Sequence, residues 1–268
     1  MYIFYNGDIL ERSSLDIGLD NRAFMYGDGL FETIIIQEGL IKFEQYHKER
    51  LMAAMSAMNL VLDKNLTINS IFSSIGQLVQ KEKQLSSRAR LQVWRASGGL
   101  YTPQSSDCDV MATCIPYEPI EVSSKRKASF AQTVRLSKTN WSAFKTISAM
   151  PYIQAGMEKT QRKLDELILL DHQDHISECT SSNLFWKQKD TYFTPSLETG
   201  CIDGIMRRHV IHQLNTHDVK LEIGEFSKKE LLQAEEVFST NVTGIQTLLS
   251  IDEHQFNSTL SIIPLLEL

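Results

Sequence analysis

Hydrophobic residues recur along the chain at two-residue and at three-to-four-residue intervals, and these intervals predict strands and helices respectively. Residues 2–5 and 8–10 flank Asn6-Gly7, a dipeptide that suits the tight turn of a β-hairpin. Residues 31–37 contain the β-branched run T-I-I-I, and Glu38-Gly39 follows as a turn into residues 40–43. Two strand pairs are therefore predicted near the start of the chain.

Helices and further strands are predicted in the next part of the chain. Within residues 44–60, Leu51, Met55 and Met58 recur at helical spacing. A second helix is predicted from the apolar positions Ile68, Ile71, Phe72, Ile75, Leu78 and Val79. Strands are predicted at 89–93 and 110–115, so residues 1–115 are predicted to form an N-terminal α/β domain with mostly antiparallel pairing.

Pro116, Pro119 and the polar segment V-S-S-K-R-K predict a linker at residues 116–125. Residues 126–268 are then predicted to form a second α/β domain. Its predicted elements are a strand at 130–136, a helix at 151–163, the strand L-I-L-L-D, and helices that begin at Gly204 and Ser227. The segment S-K-K-E at Ser227 has the pattern of a capping box.

Composition and charge narrow the class of protein. The 268 residues are 42% hydrophobic and 22% charged, as in globular proteins, and their net charge of −6 argues against a nucleic-acid surface. The N-terminal residues lack the pattern of a signal peptide, and no apolar run reaches the roughly 20 residues of a membrane span. The four cysteines form no C-x-x-C, and the two H-x-x-H pairs lack further ligands at zinc spacing. These features predict a cytoplasmic protein with no membrane, nucleic-acid or metal partner.

Five segments, in a fixed order, carry the candidate chemistry. They read D-N-R-A-F-M-Y-G-D-G-L-F-E-T, H-K-E-R-L, F-K-T-I-S-A-M-P-Y, I-S-E-C-T-S-S-N-L-F-W and G-C-I-D-G-I-M-R. Together they resemble the class IV aminotransferase family of fold-type IV pyridoxal phosphate (PLP) enzymes, from the first strand to about residue 250. The resemblance implies an α+β, two-domain, D-amino acid aminotransferase-like fold with PLP at the domain interface. It also implies a homodimer that acts on a small-molecule amino substrate.

The resemblance assigns roles to individual residues. Lys145 matches the lysine that forms a Schiff base with PLP and then transfers protons. Glu178 matches the acid that pairs with the pyridine nitrogen and keeps it protonated, so that the ring can act as an electron sink. The lysine would lie in the second of the two predicted domains.

Three further positions match the phosphate site of the family. Arg50, in H-K-E-R-L, matches the arginine that reaches the phosphate. The backbone N–H groups of Ile205 and Met206 would do the same from a helix N-terminus, although the family's usual G-I-T-R reads G-I-M-R here. Many relatives have a threonine at the position of Val242, whose side chain offers no donor. The neighbouring Asn241 is therefore the candidate side-chain donor to the phosphate. A structural role for Asn241 in a turn is an equal alternative.

The segment around Arg95 bears on the substrate. Phe31 and Arg95 are the candidate substrate contacts, and the alternative for Arg95 is an ordinary ion-paired strand residue. D-amino acid aminotransferases bind the substrate carboxylate with an Arg and a His beyond this strand, but W-R-A-S-G-G-L-Y-T-P has no histidine and no second arginine. The segments R-A-S-G-G-L-Y, V-R-L-S-K-T-N and D-G-I-M-R most resemble those of 4-amino-4-deoxychorismate lyases.

Three functional hypotheses follow from these segments. The first is a PLP-dependent lyase that converts 4-amino-4-deoxychorismate into 4-aminobenzoate and pyruvate for folate biosynthesis. The second is a PLP-dependent aminotransferase of branched-chain or D-amino acids, which would need a keto acid as second substrate. The third is a non-catalytic protein with the same fold that binds the cofactor or a partner.

Overall fold

The computed structural model describes residues 1–118, 120 and 122–266. Its six helices are α1 (Arg22–Tyr26), α2 (Glu44–Ala57), α3 (Ile68–Glu82), α4 (Met150–Gln161), α5 (Ile205–Thr216) and α6 (Lys228–Leu231) in this part of the chain. Its strands are β1 (Tyr2–Tyr5), β2 (Asp8–Glu11), β3 (Gly29–Gln37), β4 (Leu40–Ile41), β5 (Ser87–Arg95), β6 (Cys108–Pro116), β7 (Val122–Lys125), β8 (Ala128–Leu136), β9 (Glu166–Asp171), β10 (Ile176–Cys179), β11 (Asn183–Gln188), β12 (Thr191–Pro195), β13 (Lys220–Gly224), β14 (Glu236–Asn241), β15 (Gly244–Leu248), β16 (Ser250–Ile251) and β17 (His254–Gln255). Short 3₁₀ turns lie at Arg12–Ser14, Leu197–Thr199 and Ile263–Leu265.

The chain forms two compact units. The first comprises Met1–Pro119 and Phe144–Ser148, and the second comprises Ile120–Ala143 and Ala149–Leu268. The division near residue 119 lies close to the predicted one, but the segment around Lys145 groups with the first unit rather than with the second domain. Backbone hydrogen bonds to β3 cause this difference, and a sequence pattern does not reveal such distant pairing.

The first unit is built on one antiparallel sheet with the strand order β2-β1-β6-β5-β3-β4. Alternate residues of β3 and β5 enter its core, and α3 supplies the apolar stripe that covers them. The predicted stripe residues Ile71, Phe72, Ile75, Leu78 and Val79 are all buried. The predicted antiparallel α-plus-β organisation is confirmed.

Both predicted strand pairs of the first unit are present. Asn6 and Gly7 have positive φ angles of 46° and 107° between β1 and β2. Glu38 and Gly39 have positive φ angles of 53° and 80° between β3 and β4. Asparagine and glycine tolerate this left-handed region, which explains why local sequence sufficed to predict the first turn.

The second unit contains two mixed sheets, ordered β10-β9-β8-β16-β17 and β13-β12-β11-β14-β15-β7. Apolar residues of both sheets form a core around Trp186, with Phe226 edge-on to the indole at 5.0 Å and Phe193 stacked at 5.7 Å. Ala155 of α4 packs on Leu167 and Leu169 of β9, in the five-stranded sheet. These packed sheets fix the strand ends that carry the site residues of this unit.

The helices of the second unit begin close to the predicted positions. A proline lies in the first turn of α4, where a missing N–H is not needed for the helix. Ser227 and Glu230 form the predicted capping box at α6. Among the described residues, no helix combines the length and the apolar character required to cross a membrane.

The predicted linker is the main correction to the element assignment. Val122–Lys125 forms β7, which pairs in parallel with residues 245–248 of β15. The polar V-S-S-K run resembles a linker in composition, but a strand at a sheet edge needs no apolar face. Its pairing partner lies more than a hundred residues later, so local composition could not indicate it.

Candidate active site

The segment around Lys145 is held against the first residues of β3 by the backbone. The N–H of Phe31 donates to the Lys145 carbonyl at 2.8 Å, and the N–H of Ile147 donates to the Gly29 carbonyl at 2.9 Å. A Cβ atom at Gly29 would lie 2.6 Å from the Val93 carbonyl oxygen, so glycine permits the close approach. Lys145 is therefore fixed by its main chain while its side chain is only half-buried.

Phe31 and Lys145, two predicted site residues, are brought together in this way. The Lys145 Nζ atom lies 5.3 Å from the centroid of the Phe31 ring, and the Arg90 Cζ atom lies 4.0 Å from it. An ammonium group at this distance from an aromatic ring is attracted by the ring quadrupole. The Phe31 ring thus lies beside the amine of Lys145, the proposed reactive group.

Arg50 lies in a buried cluster with Glu32 and His47. Its Nε atom donates to Glu32 Oε1 at 2.7 Å, its Nη2 atom donates to Oε2, and His47 Nδ1 lies 2.7 Å from the same Oε2. Burial opposes ionisation of Glu32, but the charge of Arg50 and the hydrogen bonds from His47 and Arg50 outweigh it and lower the Glu32 pKa from 4.5 to about 2. The arginine predicted to bind phosphate is therefore oriented by a carboxylate that stays charged.

Arg95 is not a surface ion pair. Its Nε atom donates to Asp28 at 3.0 Å, and its Nη1 and Nη2 atoms donate to the carbonyls of Asn59 and Met58 at 3.1 and 2.7 Å. The residue is 8% exposed. All three of its nitrogen atoms are thus engaged within the first unit, and contact with a substrate would have to replace one of these bonds.

Asp28 also accepts from a second arginine. The Arg22 Nε atom donates to the same Asp28 oxygen at 2.9 Å, while its Nη1 atom donates to the Leu100 carbonyl at 2.6 Å and lies within 3.3 Å of the Gly98 and Gly99 carbonyls. Gly99 has a φ of 74°, which favours glycine. The loop after β5 is therefore tied through Arg22 and Asp28 to the start of β3.

In the second unit, Glu178 lies on β10 with 3% of its surface exposed. The Tyr152 hydroxyl donates to Glu178 Oε1 at 2.6 Å, and the Asn183 side-chain N–H donates to Oε2 at 3.2 Å. Burial, followed by the charge of Glu178, raises the pKa of Tyr152 well above 10, so the phenol keeps its proton and remains a donor. These donors favour the charged carboxylate that a pyridinium partner requires.

The N-terminus of α5 has the properties expected of a phosphate site. Ile205 and Met206 begin the helix, and the N-cap residue Gly204 makes no side-chain capping hydrogen bond. The first N–H groups of an α-helix have no acceptor within the helix. Because the N-cap residue supplies no side-chain acceptor, the N–H groups of Ile205 and Met206 suit an anion.

Asn241 and Val242 lie in the turn between β14 and β15. The Asn241 side chain donates to the Ser181 carbonyl at 3.1 Å and accepts from the Thr243 N–H at 2.9 Å. The oxygen of its amide therefore stabilises the turn, and the nitrogen ties the turn to the loop between β10 and β11. This geometry favours the structural alternative for Asn241, and its contact with phosphate stays a prediction.

Several residues of these clusters were not singled out from the sequence. Glu32 and Asn183 each lie inside one of the five segments that carry the family resemblance. That position was a local signal that could have marked each as a candidate site residue. Tyr152 is the last residue of a third segment, F-K-T-I-S-A-M-P-Y, but no local signal indicated its bond to Glu178, which lies 26 positions later. Among residues 1–118, 120 and 122–266, no group of three or more His, Cys, Asp or Glu side chains could hold a metal ion.

The comparison with known families decides the identity at the family level. The family model described as "Amino-transferase class IV" matches residues 29–251, which is most of the chain. The chain belongs to this family. The resemblance inferred from the five segments is thereby confirmed, as is the α+β fold of the fold-type IV PLP enzymes.

Relatives within the family carry different activities. The chain is 24% identical to a D-alanine aminotransferase of Bacillus licheniformis over 96% of this chain and 91% of the relative. It is also 24% identical to an aminodeoxychorismate lyase of Bacillus subtilis (strain 168), over 96% and 88%. A branched-chain amino acid aminotransferase from T.th., solved with pyridoxamine 5'-phosphate, superposes with a TM-score of 0.87 at 18% identity, covering 98% of this chain and 91% of that one. These identities leave the individual reaction undistinguished.

Pyridoxal phosphate is the cofactor of this class IV enzyme. Each unit, taken by itself, contains groups of the kinds that this cofactor uses. The first unit has an amine at Lys145, and the second has a hydrogen-bonded carboxylate at Glu178 and a helix N-terminus without a side-chain cap at α5. Their roles toward the aldehyde, the pyridine nitrogen and the phosphate stay predictions.

Proposed function

We propose that this protein is a PLP-dependent lyase that converts 4-amino-4-deoxychorismate into 4-aminobenzoate and pyruvate. The bonds made by Arg22, in α1, and Arg95, at the end of β5, carry this choice. Arg95 and Arg22 are both committed to Asp28 and to backbone carbonyls, and the loop A-S-G-G-L-Y-T-P that follows contains no other cationic residue. The substrate of an α-amino acid aminotransferase has a carboxylate on the carbon that carries the amine, whereas the lyase substrate has none on that carbon.

The residues divide the chemistry as follows. PLP, when bound, supplies an electron sink. Lys145 is proposed to remove the proton from the ring carbon that carries the substrate nitrogen and to hold that proton at Nζ. Glu178 is proposed to keep the cofactor ring nitrogen protonated, which requires its carboxylate to stay charged.

Other residues bind and orient. The N–H groups of Ile205 and Met206, with Arg50 and the Asn241-Val242 turn, are proposed to hold the phosphate. Phe31 is proposed to pack against the substrate beside Lys145. Loss of the proton and of the neighbouring enolpyruvyl group as pyruvate leaves an aromatic ring, so the reaction is strongly downhill.

Pyruvate release from 4-amino-4-deoxychorismate, coupled to lactate dehydrogenase, tests the proposal. Wild type is expected to release pyruvate steadily without an added keto acid, and Lys145→Ala is expected to release none. Lys138→Ala is the matched control. Lys138 lies seven positions before Lys145, is exposed and forms an ion pair with Glu198. It is expected to keep wild-type activity.

An aminotransferase is the second candidate, because the D-alanine aminotransferase relative is as similar as the lyase relative. No pyruvate, together with transfer of an amino group from D-alanine or a branched-chain amino acid to 2-oxoglutarate, would establish this activity instead. PLP binding with neither activity would leave the non-catalytic protein. A role in folate biosynthesis and a cytoplasmic location are proposed together with the lyase activity.

We also infer that the protein acts as a homodimer. Leu19, Phe24 and Tyr101 of the first unit are 89%, 82% and 91% exposed, which is unusual for large apolar side chains. They lie on α1 or on loops of the same unit that carries Lys145. Sedimentation equilibrium is expected to give twice the mass of the chain, and a monomer at micromolar concentration would contradict the inference.

A further inference from the structure

The Glu178 carboxylate is held between two donors from different elements of the second unit. Tyr152, in the first turn of α4, donates to one oxygen, and Asn183, the first residue of β11, donates to the other. A buried carboxylate prefers its neutral form unless hydrogen bonds stabilise the charge. The distance of 2.6 Å from Tyr152 is that of a charge-assisted O–H···O⁻ bond.

Asn183 joins Glu178 to the start of α5. Its side-chain N–H group also donates to the Ile202 carbonyl at 2.7 Å, and Ile202 lies two residues before the N-cap Gly204. A Cβ atom at Gly204 would lie 2.0 Å from Asn183 Oδ1. Gly204 has an ordinary φ of −67°, so the space taken by Asn183, rather than backbone conformation, requires glycine there.

One amide thus contacts the two parts of the second unit that are assigned to opposite ends of the cofactor. Glu178 is assigned to the ring nitrogen and the N-terminus of α5 to the phosphate. A shift of Asn183 would change the separation between these two contacts.

We propose that Tyr152 and Asn183 are positioning residues that hold Glu178 for the cofactor ring, and that Asn183 also sets the distance from Glu178 to the N-terminus of α5. The inference rests on the proposed role of Glu178 and deepens it. Neither residue is assigned a contact with the reacting atoms. Each acts through Glu178, and Asn183 acts through α5 as well.

The first test compares Tyr152→Phe with Tyr192→Phe. Both remove one phenolic hydrogen bond from the second unit, since the Tyr192 hydroxyl bonds to Ser261 at 2.7 Å. PLP is titrated into apo protein and the dissociation constant is read from tryptophan fluorescence. Tyr152→Phe is expected to weaken PLP about 10-fold, the scale of one lost hydrogen bond to a charge, and Tyr192→Phe is expected to match wild type.

A second readout separates positioning from a general loss of structure. The pH at which the absorbance of the bound cofactor changes is expected to move in Tyr152→Phe and to stay in Tyr192→Phe. With substrate, kcat is expected to fall while KM stays. Equal affinities and equal pH transitions in the two variants would overturn the role of Tyr152.

The role of Asn183 is tested by a double-mutant cycle with Gly204→Ala. The alanine methyl group clashes with Asn183 Oδ1, so Gly204→Ala alone is expected to weaken PLP. In an Asn183→Ala background the clash is gone, and the second change is expected to add little. Additive losses of PLP affinity would overturn the link between Asn183 and α5.

These outcomes are distinct from failure of the proposed function. If wild type binds PLP but releases no pyruvate, the lyase proposal fails while the positioning roles can still be confirmed by the dissociation constants. If wild type binds no PLP, both fail.

Discussion

The backbone N–H of Phe31 donates to the carbonyl of Lys145 at 2.8 Å, and the Lys145 ammonium lies 5.3 Å from the centroid of the Phe31 ring. The two residues are 114 positions apart in the sequence. The main-chain bond fixes the backbone of Lys145 beside β3, and the Phe31 ring lies next to its amine. Substitution of Phe31 therefore tests whether the first unit contributes to the reaction beside Lys145.

Phe31→Leu is expected to lower kcat/KM about 10-fold, because leucine keeps an apolar strand residue but removes the aromatic face near Lys145. Steady-state pyruvate release measures the effect. Phe193→Leu in the second unit, where Phe193 stacks on Trp186, is the control and is expected to lower the melting temperature without changing KM. Unchanged kcat/KM in Phe31→Leu would remove Phe31 from the substrate contacts.

Glu32→Gln is expected to destabilise the protein by about 3–5 kcal/mol at neutral pH, because it leaves the charge of Arg50 buried without its carboxylate. Urea unfolding measures the change. Glu44→Gln, which breaks the exposed pair with Lys48, is the control and is expected to cost less than about 1 kcal/mol. Similar losses in the two variants would show that the Glu32 pair is not a buried charge cluster.

The same variant tests a pH dependence. Because folding lowers the Glu32 pKa from 4.5 to about 2, its contribution is fully present above pH 4.5 and is lost as the pH falls towards 2. Wild type is therefore expected to lose stability across this window, and Glu32→Gln is expected to lose less. Parallel pH profiles of unfolding free energy would contradict the lowered pKa.

Arg95→Gln distinguishes a structural from a substrate-binding arginine. Because all three Arg95 nitrogen atoms are engaged by Asp28, Met58 and Asn59, the variant is expected to lose about 3 kcal/mol of stability with an unchanged KM. Arg135→Gln, which breaks a more exposed pair with Asp174, is the control. A raised KM with normal stability would instead assign Arg95 to the substrate.

Asn241→Asp tests the proposed phosphate contact. The aspartate keeps the oxygen that accepts from Thr243 but loses the N–H that donates to Ser181, so the turn is expected to survive without its tie to that loop. The new charge is expected to weaken PLP about 10-fold by repulsion of the phosphate. The PLP dissociation constant of apo protein measures this. Asn257→Asp, an exposed site with the same charge change, is the control. Equal affinity in both variants would leave Asn241 with the turn alone.

The sequence by itself determined those features that depend on neighbouring residues. The Asn6-Gly7 turn, the apolar stripe of α3 and the capping box at Ser227 each involve contacts within a few positions, so their patterns were sufficient. The family, its fold and its cofactor were also determined by short ordered segments. The order and residue types of these segments can be read from the sequence without knowledge of the tertiary structure.

Only the tertiary structure decided the surroundings of those residues. It placed the Lys145 segment with the first unit, paired Val122–Lys125 with a distant strand, and engaged Arg95 with Asp28, which lies 67 positions away. It also supplied Tyr152 as a donor to Glu178 across 26 positions. Such contacts depend on which strand ends and helix faces meet when the core packs, and local periodicity contains no information about that meeting.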